Sequence, residues 1–401
     1  MKPSGIEWIG DIPDDWEVRR GKYTLDLLMR PIRDNDEIIT CFRDGQVTRR
    51  SNRREDGFTF ADKEIGYQGI LKGDLVIHGM DGFAGAIGIS DSDGKGSPVL
   101  NVCRPKNGSD TRYINYYLRT LALQNVFIAL STGIRERSCD LRWKKIAELL
   151  FTIPPLKTQQ RIADYLDEKC GEIDATIAKQ KESIEKLKAY KQSLISETVT
   201  KGLDKSAPLK PSGIKWLGEI PQNARIIRLR FLSSIQTGDK DTVNRVENGK
   251  YPFYVRSPIV ERIDTFSFDG EAILMAGDGV GAGKVFHYVN GKFDYHQRVY
   301  NIHNLKGVLG KFLYYYLREN FYKEIEQSNA KSTVDSIRLP MLLDFPIIVY
   351  PYDLQKEMVS FLDKKVAEID AIIIKKQNII QKLDAYKKSL IFECVTGKQI
   401  T

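Results

Sequence analysis

The feature that most constrains this chain is a 42-residue segment, free of proline, that occurs twice. The segments Gln159–Thr200 and Gln355–Thr396 share 22 identical residues at a constant offset of 196. Their apolar residues recur every seven residues, which is typical of a coiled coil. Such a seam needs a partner, so we expect each helix to pack against its copy, although an amphipathic helix lying on a globular core is an alternative. The predicted seam residues are Leu166, Ile173, Ile177, Ile184, Leu187, Leu194, Leu362, Val366, Ile369, Ile373, Ile380, Leu383 and Leu390.

Polar residues interrupt the predicted seam at equivalent places in the two copies. Gln180 corresponds to Lys376, and Lys191 corresponds to Lys387. Polar residues inside a coiled-coil seam weaken its packing but select one register and one orientation. We therefore expect these positions to fix how the helices pair.

A second repeat indicates how the halves of the chain are joined. The phrase PSGIEWIGDIP begins at Pro3, and PSGIKWLGEIP begins at Pro211, shortly after the first long helix. The second helix ends in VTGKQIT, so joining the two termini would recreate the internal junction VTKGLDKSAPLKPSGIKW. The tandem repeat is therefore circular, and we expect the termini to lie close together.

The repeats divide the chain into two similar halves, each a variable region followed by a long helix. Both variable regions combine β-branched and aromatic runs with DG and NG turn signals, which indicates an α/β fold with a small twisted sheet. We predict two α/β domains, related by a pseudo-two-fold axis and separated by a long antiparallel two-helix coiled coil. The boundaries are 1–155 for the first domain, 156–200 for the first helix, 201–352 for the linker and second domain, and 353–401 for the second helix and tail.

Composition narrows the class of protein. The formal net charge of +8 is compatible with a nucleic-acid partner but does not establish one. The five cysteines are scattered and never spaced as CxxC, which argues against a disulfide framework or a structural zinc site. No run approaches the roughly 20 apolar residues of a membrane span, and the N-terminus has no apolar signal segment. We expect a cytoplasmic protein that does not engage a membrane.

Polar, basic segments in the variable regions are candidates for contacts with DNA. Guanidinium forks suit phosphates and guanine edges, and amides suit adenine edges, although a solvated loop is the alternative for any one residue. The candidates in CFRDGQVTRRSNRRE are Arg43, Gln46, Thr48, Arg49, Arg50, Asn52, Arg53 and Arg54. Those in the loops before the long helices are Arg135, Arg137, Arg142 and Lys144, then Lys331, Ser332, Thr333 and Arg338. Those in the glycine-rich segment from Gly277 are Lys284, His287, Gln297 and Arg298.

The sequence contains no pattern typical of a catalytic or metal site. GDGVGAGK departs from a phosphate-binding loop, because Asp278 stands where glycine is needed and Val285 where a hydroxyl is needed. The four histidines show neither HxH nor HExxH spacing. We therefore expect no catalytic residue, no metal and no cofactor in this chain.

Taken together, these motifs resemble the specificity subunit of type I restriction-modification systems. The resemblance rests on the phrase GIxW[IL]GxIP, on the step from proline to Gln159 and to Gln355 at the start of each long helix, and on the helix motif IDxxI…YKxSLIxExVT. It spans essentially the whole chain. The sequence departs from the family pattern at Thr158, Leu354 and Ala224.

The resemblance implies two target recognition domains, each recognising one half of a bipartite site in double-stranded DNA, with the coiled coil setting the spacer. It also implies two modification subunits that bind S-adenosylmethionine and methylate adenine, and two restriction subunits that use ATP and Mg²⁺. None of these activities would reside in this chain. The alternatives are a coiled-coil scaffold or partner-binding protein unrelated to DNA, and an enzyme that acts on nucleic acid by itself.

Overall fold

The computed structural model describes residues 1–53, 65–129, 141–328 and 336–399. The chain divides into two compact units, and both long helices contribute to each of them. Unit one comprises Met1–Gln180 and Gln377–Thr401, and unit two comprises Lys181–Lys376.

Unit one combines short antiparallel strands with helices. Its central sheet has the strand order β4-β11-β8-β9, and the pairs β1-β2, β3-β12, β5-β6 and β7-β10 form separate two-stranded ladders. The strands are β1 (Lys2–Pro3), β2 (Asp11–Ile12), β3 (Glu17–Arg20), β4 (Leu25–Leu27), β5 (Ile39–Cys41), β6 (Val47–Arg49), β7 (Gln68–Ile70), β8 (Leu75–His78), β9 (Ile87–Ile89), β10 (Gly94–Gly96), β11 (Leu100–Pro105) and β12 (Leu150–Ile153). The helices are α1 (Gly21–Thr24), α2 (Thr111–Leu123), α3 (Val126–Ala129), α4 (Trp143–Ile146) and the first part of α5 (Leu156–Lys201).

Helix α2 organises the core of unit one. The carboxylate of Asp110 caps its N-terminus by accepting hydrogen bonds from the first-turn backbone N–H groups. The rings of Tyr113 and Tyr117 are fully buried, and Tyr117 stacks on Phe151 with ring centroids 5.2 Å apart. The same cluster includes Leu390, so the core extends from the sheet to the long helices.

Unit two contains a larger sheet. The six strands lie in the order β16-β21-β19-β20-β17-β18, and only the β17-β20 pair is parallel among them. The pairs β13-β14 and β15-β22 are separate ladders. The strands are β13 (Leu209–Pro211), β14 (Glu219–Pro221), β15 (Arg225–Arg228), β16 (Ser234–Thr237), β17 (Tyr251–Tyr254), β18 (Glu261–Ile263), β19 (Phe268–Ala276), β20 (Phe286–Tyr295), β21 (Val299–His303) and β22 (Pro346–Val349). The helices are α6 (Gly310–Ser328), α7 (Leu339–Leu343) and α8 (Tyr352–Val395), which begins here and ends in unit one.

The repeated phrase folds in the same way in both units. The backbone N–H of Ser4 donates to the carbonyl of Gly10 at 3.0 Å, and Ser212 donates to Gly218 at 2.9 Å. In both copies the serine hydroxyl oxygen also accepts a hydrogen bond from the backbone N–H two residues later, at 3.0 and 3.1 Å. The phrase is therefore a local structural motif as well as a sequence repeat.

A buried glutamine ties the start of each long helix to its own unit. The side-chain oxygen of Gln159 accepts from the backbone N–H of Asp110 at 2.9 Å, and that of Gln355 accepts from Leu309 at 2.8 Å. Each side-chain amide donates to the carbonyl oxygen five residues earlier, at 2.8 and 2.7 Å. Since an unpaired buried polar group is costly, these contacts fix where the helix begins relative to the domain.

Within unit one, α5 and α8 run antiparallel. Lys387 of α8 contacts Asp174 of α5, whereas Gln399, beyond the end of α8, donates to the hydroxyl of Tyr165 at 3.3 Å. Residues later in the sequence of α8 and its tail therefore contact residues earlier in α5. Within unit two, Lys191 contacts Asp370 at 2.5 Å, and Gly202 lies beside Met358, which gives the same orientation.

The predicted seam residues lie on buried or half-buried faces of these helices. No seam residue named from the sequence is exposed, although neighbouring positions such as Tyr190 and Tyr386 are. The buried ones are Leu166, Ile173, Ile177, Ile184, Leu362, Ile369, Ile373 and Leu390. The half-buried ones are Leu187, Leu194, Val366, Ile380 and Leu383.

The N-terminal phrase and the C-terminal tail lie side by side in unit one. The Nζ of Lys398 donates to the carbonyl oxygen of Asp11 at 2.8 Å. The internal junction makes the equivalent contact in unit two, where Lys201 donates to the carbonyl oxygen of Glu219. Both ends of the repeat are thus bonded to the same β-strand of the phrase, β2 in one unit and β14 in the other.

Candidate nucleic-acid interface

The arginine-rich segment predicted to contact DNA lies on and around the β5-β6 pair of unit one. Three of its arginines are held by carboxylates, which orients their guanidinium groups. The pairs are Arg43 with Asp81 at 2.9 Å, Arg49 with Glu37 at 2.9 Å, and Arg53 with Asp44 at 2.7 Å.

These ion pairs leave the arginines able to meet another anion. The side chain of Arg43 is 67% exposed, and that of Arg53 lies over the ring of Phe42 at 4.2 Å from its centroid. Exposed ion pairs contribute only about 0–1 kcal/mol, so a DNA phosphate can replace a carboxylate partner at small cost. The pairs therefore position the guanidinium groups without sequestering them.

Thr48 is a correction to the sequence prediction. Its side chain is fully buried, and its hydroxyl oxygen accepts a hydrogen bond from the amide of Asn52 at 2.9 Å. A side chain that is fully buried inside unit one cannot reach a duplex. By contrast, Gln46 is exposed at the β5-β6 turn.

A cleft of about 640 Å³ opens beside this strand pair. It is lined by Arg43, Arg50, His78 and Asp81, among other residues. Burial lowers the pKa of His78, and its Nδ1 accepts hydrogen bonds from the backbone N–H groups of Met80 and Asp81 at 3.2 and 2.9 Å. A neutral His78 therefore shapes the loop that follows β8.

Unit two places cations around the corresponding loop, after β19. Arg256 donates to Asp278 at 3.0 Å, and the Nε of Arg298 lies 3.7 Å from the same carboxylate. The exposed Lys284 lies over the ring of Tyr322 at 4.2 Å. One carboxylate thus holds two arginines beside the loop that follows the central strand β19.

Two other predicted residues of unit two differ in exposure. Gln297 is exposed, and its amide donates to Asp241 at 2.9 Å. His287 is half-buried with its Nε2 3.2 Å from the carbonyl oxygen of Ser257, and burial lowers its pKa. Its ring therefore faces the protein backbone more than the solvent.

The remaining predicted residues flank the short helices α4 and α7. Arg142 stands before α4, Lys144 lies within it, and Arg338 stands before α7, all with exposed side chains. Other predicted residues lie outside the described part of the chain, namely Arg54, Arg135, Arg137, Lys331, Ser332 and Thr333.

Sequence reasoning missed the acid that accompanies the arginines in each unit. Asp81 and Asp278 both follow a central strand and both hold an arginine, Arg43 in one unit and Arg256 in the other. The sequence does contain an indication of this acid. The segments GMDGFAGAIG and GDGVGAGKV resemble each other, and each has an aspartate in a glycine-rich turn after a central strand.

The described residues also bear on metal binding and on membrane insertion. Across 1–53, 65–129, 141–328 and 336–399, no group of His, Cys, Asp or Glu side chains is arranged to hold a metal ion. Over the same ranges, no helix combines the length and the apolar character that crossing a bilayer requires.

The fold therefore defines a class of protein in which two α/β units with basic loops share the same pair of long helices. The model of the family described as the type I restriction modification DNA specificity domain matches residues 51–188 and 226–383. These two matches cover more than half of the chain, which therefore belongs to this family.

Relatives with the same designation come from bacteria and archaea. The specificity subunit of the type I restriction enzyme EcoDI from Escherichia coli is 27% identical over 181 residues, 45% of this chain and 40% of that protein. The MjaVIII specificity subunit from Methanocaldococcus jannaschii is 26% identical over 280 residues, 64% of this chain and 63% of that protein. The matched region thus spans about half the length of these relatives.

A solved structure shares the fold. It is a chain from a type I R-M system, determined in work on complex assembly and conformational transition. The TM-score is 0.75 at 14% identity, over 97% of this chain and 100% of that chain.

Proposed function

We propose that this chain is the non-catalytic DNA sequence-specificity subunit of a type I restriction-modification complex. The observation that carries the proposal is the twofold occurrence of one arrangement, in which an aspartate on a glycine-rich turn holds an arginine from another segment and exposed cations lie nearby. A protein that recognises two separate DNA segments needs such a surface twice, on two domains whose sequences are free to differ.

Residues 1–155 and 201–352 would be the two target recognition domains, each recognising one half of a bipartite site in double-stranded DNA. Cations bind phosphates and release counterions, which makes affinity depend on salt but not on sequence. Arginine and amide side chains at base edges then supply about 1–3 kcal/mol of discrimination for each good bidentate contact.

The helices at 156–200 and 353–401 would form a continuous antiparallel coiled coil that sets the spacer between the half-sites. The antiparallel contacts within each unit and the Lys–Asp pairs at equivalent positions support this part of the proposal. Tail-to-phrase contacts in both units support a circular plan with pseudo-two-fold symmetry.

The proposed role as a specificity subunit implies modification and restriction subunits as partners. Two modification subunits would carry S-adenosylmethionine and methylate adenine, and two restriction subunits would use ATP and Mg²⁺ to translocate and cleave DNA. The designation of the relatives as specificity subunits of type I restriction enzymes supports this assignment. The complex would act in the cytoplasm, where its DNA substrate lies.

A domain exchange tests the proposal. Residues 14–150 are replaced by the equivalent region of another specificity subunit, and the host methylome is sequenced with the original and the exchanged chain. We expect one half-site to change while the other half-site and the spacer persist. A change in both half-sites, or in neither, would contradict the proposal.

A scaffold unrelated to DNA makes a different prediction. Such a protein, purified together with its modification subunits, would shift no duplex in a sequence-dependent way in a gel assay. A chain that transferred labelled methyl groups by itself would instead be an enzyme.

A further inference from the structure

The loop between β19 and β20 of unit two exposes an apolar side chain completely. Val280, in the segment GDGVGAGK, is 100% exposed. An apolar side chain at a fully exposed tip gains nothing from the fold of its own unit. Exposure alone does not distinguish Val280 from Val243, which is 86% exposed, so the case for a ligand contact depends on the loop that carries Val280.

The loop is held rigidly by hydrogen bonds to its own unit. The backbone N–H of Gly277 donates to the carbonyl of Arg298 at 2.8 Å, and Ile337 donates to Gly277 at 2.7 Å. At the far side of the loop, Gly283 donates to Ala276 at 2.9 Å. Val280 is thus presented on a fixed support.

The backbone geometry of this loop requires glycine at two positions, Gly279 and Gly281. Gly279 has a φ of +71°, which favours glycine, and it precedes Val280 directly. A Cβ on Gly281 would lie 2.6 Å from the carbonyl oxygen of Arg256, so the chain passes too close for a side chain. The tight turn pushes the residue between these two glycines outward.

Cations surround this tip. Arg256 and Arg298 are both held by Asp278, two residues before Val280, and Lys284 is exposed four residues after it. This charge suits a polyanion better than an apolar protein surface or an uncharged ligand. The arrangement matches a DNA groove, where phosphates line the edges and base edges lie between them.

Unit one also exposes an apolar side chain in its loop after β8, although Met80 precedes the aspartate of that loop whereas Val280 follows the aspartate of its own. Met80 is 65% exposed, and the glycine before it is held by the same two contacts as Gly277. Gly79 donates to the carbonyl of Val99 at 2.8 Å, and Leu141 donates to Gly79 at 2.8 Å. Asp81, the partner of Arg43, follows Met80 directly.

We propose that Val280 and Met80 are specificity-determining residues that make apolar contacts with base edges, with the C5-methyl group of thymine as the group contacted. The inference rests on the proposed function, since it assigns the readout to particular residues of the recognition domains. Neither side chain can form a strong hydrogen bond, and in the major groove the thymine methyl is the apolar group that distinguishes one base pair from another.

Thymine-to-uracil substitution tests this contact. The full chain is purified with the modification subunits of its host, and the recognised site is found by methylome sequencing. Duplexes carrying that site, with each thymine replaced in turn by deoxyuridine, are titrated by fluorescence anisotropy. Removal of the contacted methyl should weaken wild-type binding about fourfold, as expected for one buried methyl group.

The variants locate the contact. Val280→Ala should bind the thymine and the uracil duplex equally well at one half-site, and Met80→Ala should do so at the other. Val243→Ala is the matched control, because Val243 is an 86% exposed valine of unit two in the turn Thr242–Asn244, outside the loop. It should keep the fourfold discrimination.

The possible results are distinct. If no uracil substitution weakens wild-type binding, or if Val280→Ala keeps the full discrimination, the assignment of these residues is wrong while the bipartite site stands. If no sequence-dependent site exists, the proposed function itself fails.

Discussion

Lys387 of α8 donates hydrogen bonds to both carboxylate oxygens of Asp174 on α5, at 2.7 and 2.6 Å. An equivalent pair occurs at the repeat offset of 196 residues, where Lys191 donates to Asp370 at 2.5 Å. Both lysines interrupt the predicted apolar seam, and both aspartates belong to the EIDA repeat of the opposite helix. A slide of one helix along the other would separate both pairs, so together they favour one register.

Exchanging the charges of one pair tests this role. Lys387→Asp places two carboxylates together and should lower the free energy of unfolding by about 1 kcal/mol, the upper range for exposed pairs. Adding Asp174→Lys should recover most of the loss in thermal unfolding followed by circular dichroism. Lys388→Asp, at the exposed neighbouring position, is the control. A double variant no more stable than the single one would show that the pair does not act as a unit.

The sequence predicts those features of the fold and the candidate site that depend on local periodicity, but not those that depend on contacts between distant residues. The heptad pattern predicts buried helix positions such as Ile177 and Leu390, because periodicity along one helix reports directly on which face is buried. The partners of Arg43 and Arg256 could not be predicted, since each aspartate comes from a distant turn. The prediction for Thr48 is wrong because its side chain is packed inside unit one, and the basic residues next to it in the sequence do not report such long-range burial.

The buried glutamine at the start of α5 should be important for stability. Gln159→Leu leaves the N–H of Asp110 and the carbonyl of Pro154 without partners, at about 1–3 kcal/mol for each group. We expect a loss of roughly 2–4 kcal/mol in urea unfolding and faster hydrogen exchange of the Asp110 amide. Gln160→Leu, on the exposed side of the same helix, should change neither. Equal effects of the two variants would contradict this interpretation.

Acidification should destabilise the protein through its histidines. Burial lowers the pKa of His78, His287, His296 and His303, the four histidines of the chain. A lowered folded-state pKa means that the stabilisation is complete above the unfolded pKa of about 6.5 and is lost as the pH falls towards the folded value. The melting temperature should therefore fall between pH 7.5 and pH 5.5.

His78 gives this pH dependence a local readout. Its neutral ring accepts hydrogen bonds from Met80 and Asp81, while the charges that face it are those of Asp81 and Arg43. Protonation removes an acceptor, so hydrogen exchange at these two amides should accelerate at pH 5.5. In His78→Asn the amide oxygen replaces the ring nitrogen, and the acceleration should diminish. An acceleration as large as that of the wild type would point to another group.

Arginines of the β5-β6 segment should account for part of the salt dependence of DNA binding. Arg43→Met and Arg53→Met should each reduce the slope of log K against log salt by about 0.9, the value for one phosphate contact. Titrations between roughly 50 and 200 mM salt measure this slope. Arg20→Met is the control, since Arg20 is also an exposed arginine paired with a carboxylate, Glu148 at 2.8 Å, but lies on β3. A control slope that falls as much as the other two would mean that the effect reflects net charge alone.

Helix length should determine the spacer of the recognised DNA. Inserting seven residues after Gln180 and seven after Lys376 keeps the heptad phase of both helices and lengthens each by about 10.5 Å. At roughly 3.4 Å per base pair, methylome sequencing should find the same two half-sites about three base pairs further apart. Inserting the residues after Gln180 alone leaves one helix longer than its partner, so methylation should fall without a new, longer spacer. The paired insertion lengthens both strands of the predicted coiled coil equally, and an unchanged spacer in that variant would mean that something other than the helices measures the distance.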